Sequence, residues 1–131
     1  ILQERCEAQE KLACATEDDS LSPRERLLAF VNMAAATVLT PGFRGCPLGL
    51  AIAEFPDPGH PARQVADHHK QAMRETLRRL CAEAGAPATL GDSLQLLIEG
   101  AFAVAPALGN EAASRSLESS AHALIGASLP S

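Results

Sequence analysis

Residues 42–61 read GFRGCPLGLAIAEFPDPGHP. This segment separates two strongly amphipathic stretches, so it decides how the helices on either side are connected. Its glycines and prolines break regular structure at both ends, whereas Pro47 to Phe55 fits a short apolar helix of about two turns. The sequence therefore predicts a helix, a break, a short helix, a turn at residues 56–59 and a second long helix.

The two flanking helices have clear boundary signals. Ser22 can cap a helix in which Pro23 occupies the first turn and Glu25 reaches back to the cap. Apolar residues then recur every three or four positions, which is typical of a helix over 23–39. After the segment, Pro61 begins a helix that runs to residue 84 and stops at Gly85. No stretch alternates with period two for long enough to make a strand, so the predicted class is all-α, a bundle of about six helices.

The last two helices suggest a second chain. Residues 89–108 are apolar nearly all round, and such a helix must be covered on two sides. The following helix, which we expect Asn110 to cap, combines large apolar residues with small ones that allow close approach. One interpretation is half of a four-helix bundle completed by two-fold symmetry; the other is burial against 23–39 in the same chain. The predicted dimer interface comprises Leu94, Ile98, Phe102, Ala105, Leu117, Ala121, Leu124 and Ile125.

Composition narrows the function. The 131 residues are 47% apolar with a net charge of −5, which fits one folded domain without a nucleic-acid surface of its own. The basic residues Lys70, Arg74, Arg78 and Arg79 alternate with acidic ones three or four positions away and predict a solvated face of paired charges. No apolar run is long enough for a membrane span, and the first residues lack the basic and apolar regions of a signal peptide. Four cysteines without metal spacing are typical of reduced thiols, which favours a cytoplasmic protein.

The first residues predict an incomplete chain. Residues 1–16 fit a helix with a thin apolar seam, and the sequence begins as if in the middle of that helix. We therefore expect 1–16 to be the end of a linker helix from a missing N-terminal domain, and 20–131 to form the domain proper. A trimmed chain with nothing upstream is the alternative.

Few residues offer catalytic or metal chemistry. There is no Gly-rich phosphate loop and no zinc-protease motif, so neither an enzyme nor a cofactor is predicted. Glu54, Asp57 and His60 are three apart, but the prolines between them prevent one shared helical face, so no metal site is expected. Cys46 is either a packed loop cysteine or a redox or electrophile sensor at the start of the short helix.

Residues 43–48, 53–61, Val65 and His69-Lys70 resemble the ligand-sensing domain of the TetR/AcrR family of bacterial transcriptional regulators. The order of helices resembles that domain as well, over about residues 20–128. The family's helix-turn-helix is absent from this sequence, so DNA binding is implied only for an intact protein.

The resemblance implies an allosteric repressor. A homodimer would hold two DNA-binding heads at operator spacing, and a small hydrophobic effector would favour a state that releases DNA. The pocket candidates, chosen from apolar facing and family layout, are Phe30, Met33, Ala34, Val38, Phe43, Cys46, Leu48, Ile52, His69, Met73, Leu97 and Phe102, with Arg44 as a second polar anchor beside His69. The alternatives are a dimeric helical adaptor without a ligand and a small enzyme built on a His/Cys or His/Glu pair.

Overall fold

The computed structural model describes residues 19–129 and contains five helices in that range. They are α1 (Pro23–Val38), α2 (Pro47–Glu54), α3 (Pro61–Glu83), α4 (Ala88–Leu108) and α5 (Asn110–Ser128). The all-α prediction is confirmed, and each predicted boundary lies within a few residues of the observed one. The helix expected over 1–16 lies outside the described residues.

The start of α1 has the expected reciprocal cap. The backbone N–H of Glu25 donates to Ser22 Oγ at 3.1 Å, and the N–H of Ser22 donates to Glu25 Oε1 at 3.0 Å. Because the Glu25 carboxylate accepts hydrogen bonds from the backbone and the side chain of Ser22, the pKa of Glu25 is lowered. Two N–H groups that the helix cannot satisfy itself are thereby paired, which fixes the first turn.

Helix α4 lies at the centre of the bundle. It packs against α3, α5 and α1, and α1 also packs against α3 and α5. The short helix α2 packs against α3 alone among the helices. Because α2 is not closed onto α4, space remains between these two helices on one side of the bundle.

Helix α4 approaches α3 unusually closely at Gly91. A Cβ atom at this position would lie 3.0 Å from the backbone nitrogen of Arg78 and 3.0 Å from the carbonyl carbon of Leu77. Backbone atoms cannot rotate away as a side chain can, so the absence of a side chain at residue 91 sets the spacing of α3 and α4.

A single residue joins α4 to α5. Gly109, at φ +94°, ends the first helix and begins the second, a backbone conformation that favours glycine. The prediction that Asn110 caps α5 is wrong, because Asn110 is already the first helical residue. Its Nδ2 instead donates to the carbonyl of Phe43 at 3.3 Å and ties the segment before α2 to this turn.

Most residues predicted for the dimer interface are used inside the single chain. A side chain without exposed surface has no area left for a partner. Helix α1 packs against both α4 and α5, as in the bond from Ser114 Oγ to the carbonyl of Ala35 at 2.9 Å. Burial within the same chain, to which residues 23–39 contribute, therefore explains why most of the predicted interface residues are apolar. Leu124 is half-buried, and the fully buried members are Leu94, Ile98, Phe102, Ala105, Leu117, Ala121 and Ile125.

Candidate functional site

Two neighbouring grooves open beside α2. The Cys46 groove, of about 340 Å³, lies between the start of α2 and the end of α4 and is lined by Arg44, Gly45, Cys46, Gly49, Leu50, Glu99, Phe102, Ala103 and Pro106. The Lys70 groove, of about 480 Å³, lies between α2, α3 and α4 and is lined by Gly49, Ile52, Lys70, Arg74, Asp92, Gln95, Leu96 and Glu99. Gly49 and Glu99 belong to both.

A thiol, an amine and a carboxylate meet at the wall shared by these grooves. Lys70 Nζ lies 3.3 Å from Cys46 Sγ and 2.5 Å from Glu99 Oε2. The side chains of Lys70 and Glu99 are only 15% and 29% exposed. Glu99 Oε1 is buried and has no hydrogen-bond partner among the described residues. The arrangement thus combines a paired charge with one acceptor that is not used.

The Lys70 groove has a second charged cluster at its far end. Arg78 donates to both carboxylate oxygens of Asp92, at 2.8 and 2.6 Å, and Arg74 donates to Oδ1 at 3.4 Å. The hydrogen bonds from Arg78 lower the pKa of Asp92, and the charges of Arg78 and Arg74 act in the same direction. Both bridges connect α3 to α4.

We expect this cluster to make stability depend on acid pH. The pKa of Asp92 is lower in the folded chain than in the unfolded chain, where it is about 3.9, so the ionised carboxylate stabilises the fold above about pH 3.9. This contribution is lost as the pH falls through the pKa that Asp92 has in the folded chain. Asp92→Asn should therefore lower the melting temperature at pH 7 and flatten its decline below about pH 4. Thermal melts from pH 7 to pH 2 measure both effects, with the exposed Glu118→Gln as control. Parallel curves for Asp92→Asn and the unchanged chain would contradict this assignment.

Few of the predicted pocket residues line these two grooves. Cys46 and Phe102 line the first, and Ile52 lines the second. Leu97 lines a third groove between α4 and α5. The others line none of the three: Phe30, Ala34, Val38, Leu48 and Met73 are buried in the core, whereas Met33, Phe43 and His69 are half-buried. Arg44, the second proposed polar anchor, lines the Cys46 groove.

The side chains between α2 and α3 have structural roles. His60 Nδ1 accepts from the N–H of Ala62 at 3.1 Å and so caps α3, and its ring stacks on Phe55 with centroids 4.1 Å apart. Asp57 Oδ1 accepts from the N–H of Gly59 at 2.9 Å. Among residues 19–129, no three His, Cys, Asp or Glu side chains are grouped so that they could hold a metal ion.

Lys70, Glu99 and Asp92 have roles that the sequence did not predict. The charge pattern predicted pairs along α3 for its basic residues, which holds for Arg79 and Glu83 but not for Lys70 and Arg78. Glu99 carried the signal that could have found the site, because it is the one charged residue between Gln95 and Leu108. A lone carboxylate on an otherwise apolar helix needs a partner.

The third groove, which we call the α4–α5 groove, has a volume of about 250 Å³. Every fourth residue of α4 contributes to it, namely Leu96, Gly100, Val104 and Leu108, and the side chains of Leu96, Val104 and Leu108 are 74%, 40% and 65% exposed. Ser116 and Ser120 of α5 form the opposite wall.

No helix within residues 19–129 is long and apolar enough to cross a membrane.

Known proteins resemble this chain in sequence or in fold. The chain is 31% identical over 85 residues to the HTH-type transcriptional regulator YjdC of Escherichia coli K12, and equally to YjdC of Shigella flexneri; the match covers 63% of this chain and 44% of each relative. The crystal structure of SCO4454, a TetR-family transcriptional regulator from Streptomyces coelicolor, superimposes with a TM-score of 0.82 at 25% identity, over 89% of this chain and 59% of that one.

The chain thus spans about half the length of these proteins. The family model that describes the C-terminal domain of tetracyclin repressor-like proteins matches residues 23–121, which include all of α1 to α4 and most of α5. The chain therefore belongs to the C-terminal domain family of the TetR-type transcriptional regulators.

Proposed function

We propose that this chain is the effector-binding and dimerisation domain of a TetR-type repressor, in which a small hydrophobic molecule between the helices releases DNA. In this proposal a helix-turn-helix domain precedes the chain, residues 1–16 link the two, and the intact protein acts in the cytoplasm. The observation that carries the proposal is the pair of adjoining grooves beside α2, in a chain whose family regulates transcription.

The grooves have the properties of a small-molecule site. Their volumes, about 340 and 480 Å³, lie in the range of ligand pockets, which combine apolar walls with a few directing polar groups. Ile52, Leu50 and Pro106 supply apolar surface, while Arg44 and Glu99 supply charge. Because α2 packs only on α3, a ligand that fills the space between α2 and α4 would favour one position of α2 over another. Such a difference in affinity between two states is what allostery requires.

The proposed dimer surface is the α4–α5 groove. Exposed apolar side chains spaced four residues apart form one continuous stripe along α4, and Gly100 and the serines of α5 leave room for a second helix pair. A two-fold axis would bring the same stripe of two chains together and complete a four-helix bundle. This surface is proposed in place of the interface predicted from the sequence, because most of the residues of that interface are buried in the core.

Gly49 offers a direct test of ligand binding because it lines both grooves. A Cβ atom at residue 49 would meet only the Cβ of Cys46, at 3.8 Å, so a larger side chain can enter the grooves without a backbone clash. In a thermal-shift screen against hydrophobic compounds, a ligand at 100 times its Kd should stabilise the chain by about 2.7 kcal/mol, a rise of roughly 10 °C. Gly49→Phe should abolish this rise.

Gly49→Ala is the matched control and should keep the response. A screen without any binder would instead favour a ligand-free dimeric adaptor. If a ligand stabilises Gly49→Phe as strongly as the unchanged chain, it does not bind in these grooves.

A further inference from the structure

Cys46 differs from the other cysteine within the described residues. Its side chain lies in the wall of the Cys46 groove, and the residue is 8% exposed. Cys81 is fully buried in the core, and burial, with the nearby charge of Asp92, raises the pKa of its thiol. A small molecule in the groove would therefore meet one sulfur and not the other.

A cation lies within hydrogen-bond distance of the Cys46 sulfur. The attacking species in thiol chemistry is the thiolate, and a neighbouring cation stabilises it. Lys70 Nζ donates to Cys46 Sγ at 3.3 Å, and Glu99 Oε2 holds the same ammonium in place at 2.5 Å. The three side chains come from the start of α2, from α3 and from α4, so the fold itself brings them together.

Glu99 Oε1 indicates what kind of molecule belongs there. A buried carboxylate oxygen without a donor carries a free-energy cost that a bound O–H or N–H group would remove. The groove beside it is walled by Leu50, Ala103 and Pro106, whose exposed apolar surfaces suit a flat ring. The fitting ligand is therefore cyclic, reactive toward sulfur and able to present a hydroxyl group once bound.

We propose that Cys46 is a covalent capture site for quinones. This inference rests on the proposed function, since it names a ligand class for the same grooves. A quinone has no hydroxyl group, but thiol addition converts it into a hydroquinone that has two, and one of these can donate to Glu99 Oε1. An α,β-unsaturated aldehyde would react with the thiol and leave that oxygen without a donor.

The addition balances without another reactant. The Cys46 thiol loses its proton, and Sγ forms a bond to a ring carbon while the carbon–carbon π bond breaks. The electron pair moves to a carbonyl oxygen, which takes up a proton. The ring carbon that now carries sulfur then loses its hydrogen as a proton, the ring becomes aromatic, and the second oxygen is protonated. The quinone is reduced to a hydroquinone thioether, and nothing leaves.

The test is the rate of adduct formation with 1,4-benzoquinone, measured by mass spectrometry of intact chain and peptides. It uses Cys6→Ser/Cys14→Ser, so that Cys46 and Cys81 are the remaining thiols. Cys46 should react at least about tenfold faster than Cys81. For Cys46, the rate with benzoquinone divided by the rate with iodoacetamide should be about tenfold higher than the same quotient for glutathione. Dividing the two rates cancels the general reactivity of a thiol, so the difference that remains reports recognition of the ring.

Lys70 variants separate its charge from its role in the fold. Lys70→Met should slow both reagents at Cys46 by about tenfold, and Lys70→Arg should restore the rates. Three results would each overturn the proposal. They are a rate at Cys46 no faster than at Cys81, a quotient of the two reagent rates equal to that of glutathione, and a Lys70→Met variant whose Cys46 reacts as fast as in the unchanged chain. The Cys46→Ser chain in the thermal-shift screen reports reversible binding separately, so failure of covalent capture is distinguishable from failure of the proposed function.

Discussion

Replacing Gly91 by valine should destabilise the domain by at least about 3 kcal/mol, a large part of the roughly 5–15 kcal/mol by which a domain is stable. The added Cβ would lie about 3.0 Å from backbone atoms of Arg78 and Leu77, and its methyl groups would enter the same gap. Relief requires α4 to move away from α3, which would also loosen the contacts that Lys70 and Arg78 make with α4. Urea titration followed by circular dichroism measures the loss.

A second glycine provides the matched control. Gly126 lies within α5, and an added Cβ would meet nothing within 4 Å. Gly126→Ala should therefore stabilise the chain by about 0.5–1 kcal/mol, because alanine loses less conformational entropy in a helix. A Gly91→Val midpoint close to that of the unchanged chain would mean that α3 and α4 can separate freely.

The second large effect concerns self-association. Val104→Arg should raise the dimer dissociation constant by at least about a hundredfold, because a two-fold interface contains each substitution twice and both charges would be desolvated. Val104 is 40% exposed in the single chain, so the folded protomer should tolerate arginine. Sedimentation velocity over a concentration series measures the change.

Leu39→Arg is the comparison, since Leu39 is also exposed and apolar, at 51%, but lies at the end of α1. It should leave association unchanged. If Val104→Arg and Leu39→Arg behave alike, the proposed α4–α5 surface is not the interface. Phe102→Arg would be uninformative, because Phe102 is 1% exposed and its replacement would unfold the protomer itself.

The helices could be predicted from the sequence because their signals are local. Ser22, Glu25 and Pro61 mark helix starts through contacts within one turn, and the periodicity of apolar residues identifies the buried face. Asn110 misled the analysis because Gly109, which can adopt positive φ, made a tighter connection than a capping side chain would.

The site could be predicted only in part. Cys46 was singled out, but its partners lie 24 residues away and, through Lys70, a further 29 along the chain. Periodicity shows that Ile98 and Phe102 are buried but not which part of the molecule buries them. One interpretation placed them against a second chain, whereas both are buried within the single chain. Spatial neighbours of this kind depend on how the helices pack.

The single-residue connection at Gly109 has a consequence for how the chain folds. Helices α4 and α5 can pair after closing almost no loop, whereas α1 meets α5 through contacts such as Ser114 with Ala35 and His122 with Asn32, which join residues 79 and 90 positions apart. Closing a long loop costs more entropy than closing a short one and slows the step that requires it. We therefore expect α4 and α5 to pair early in folding, and α1 to dock onto the surface that this helical hairpin forms.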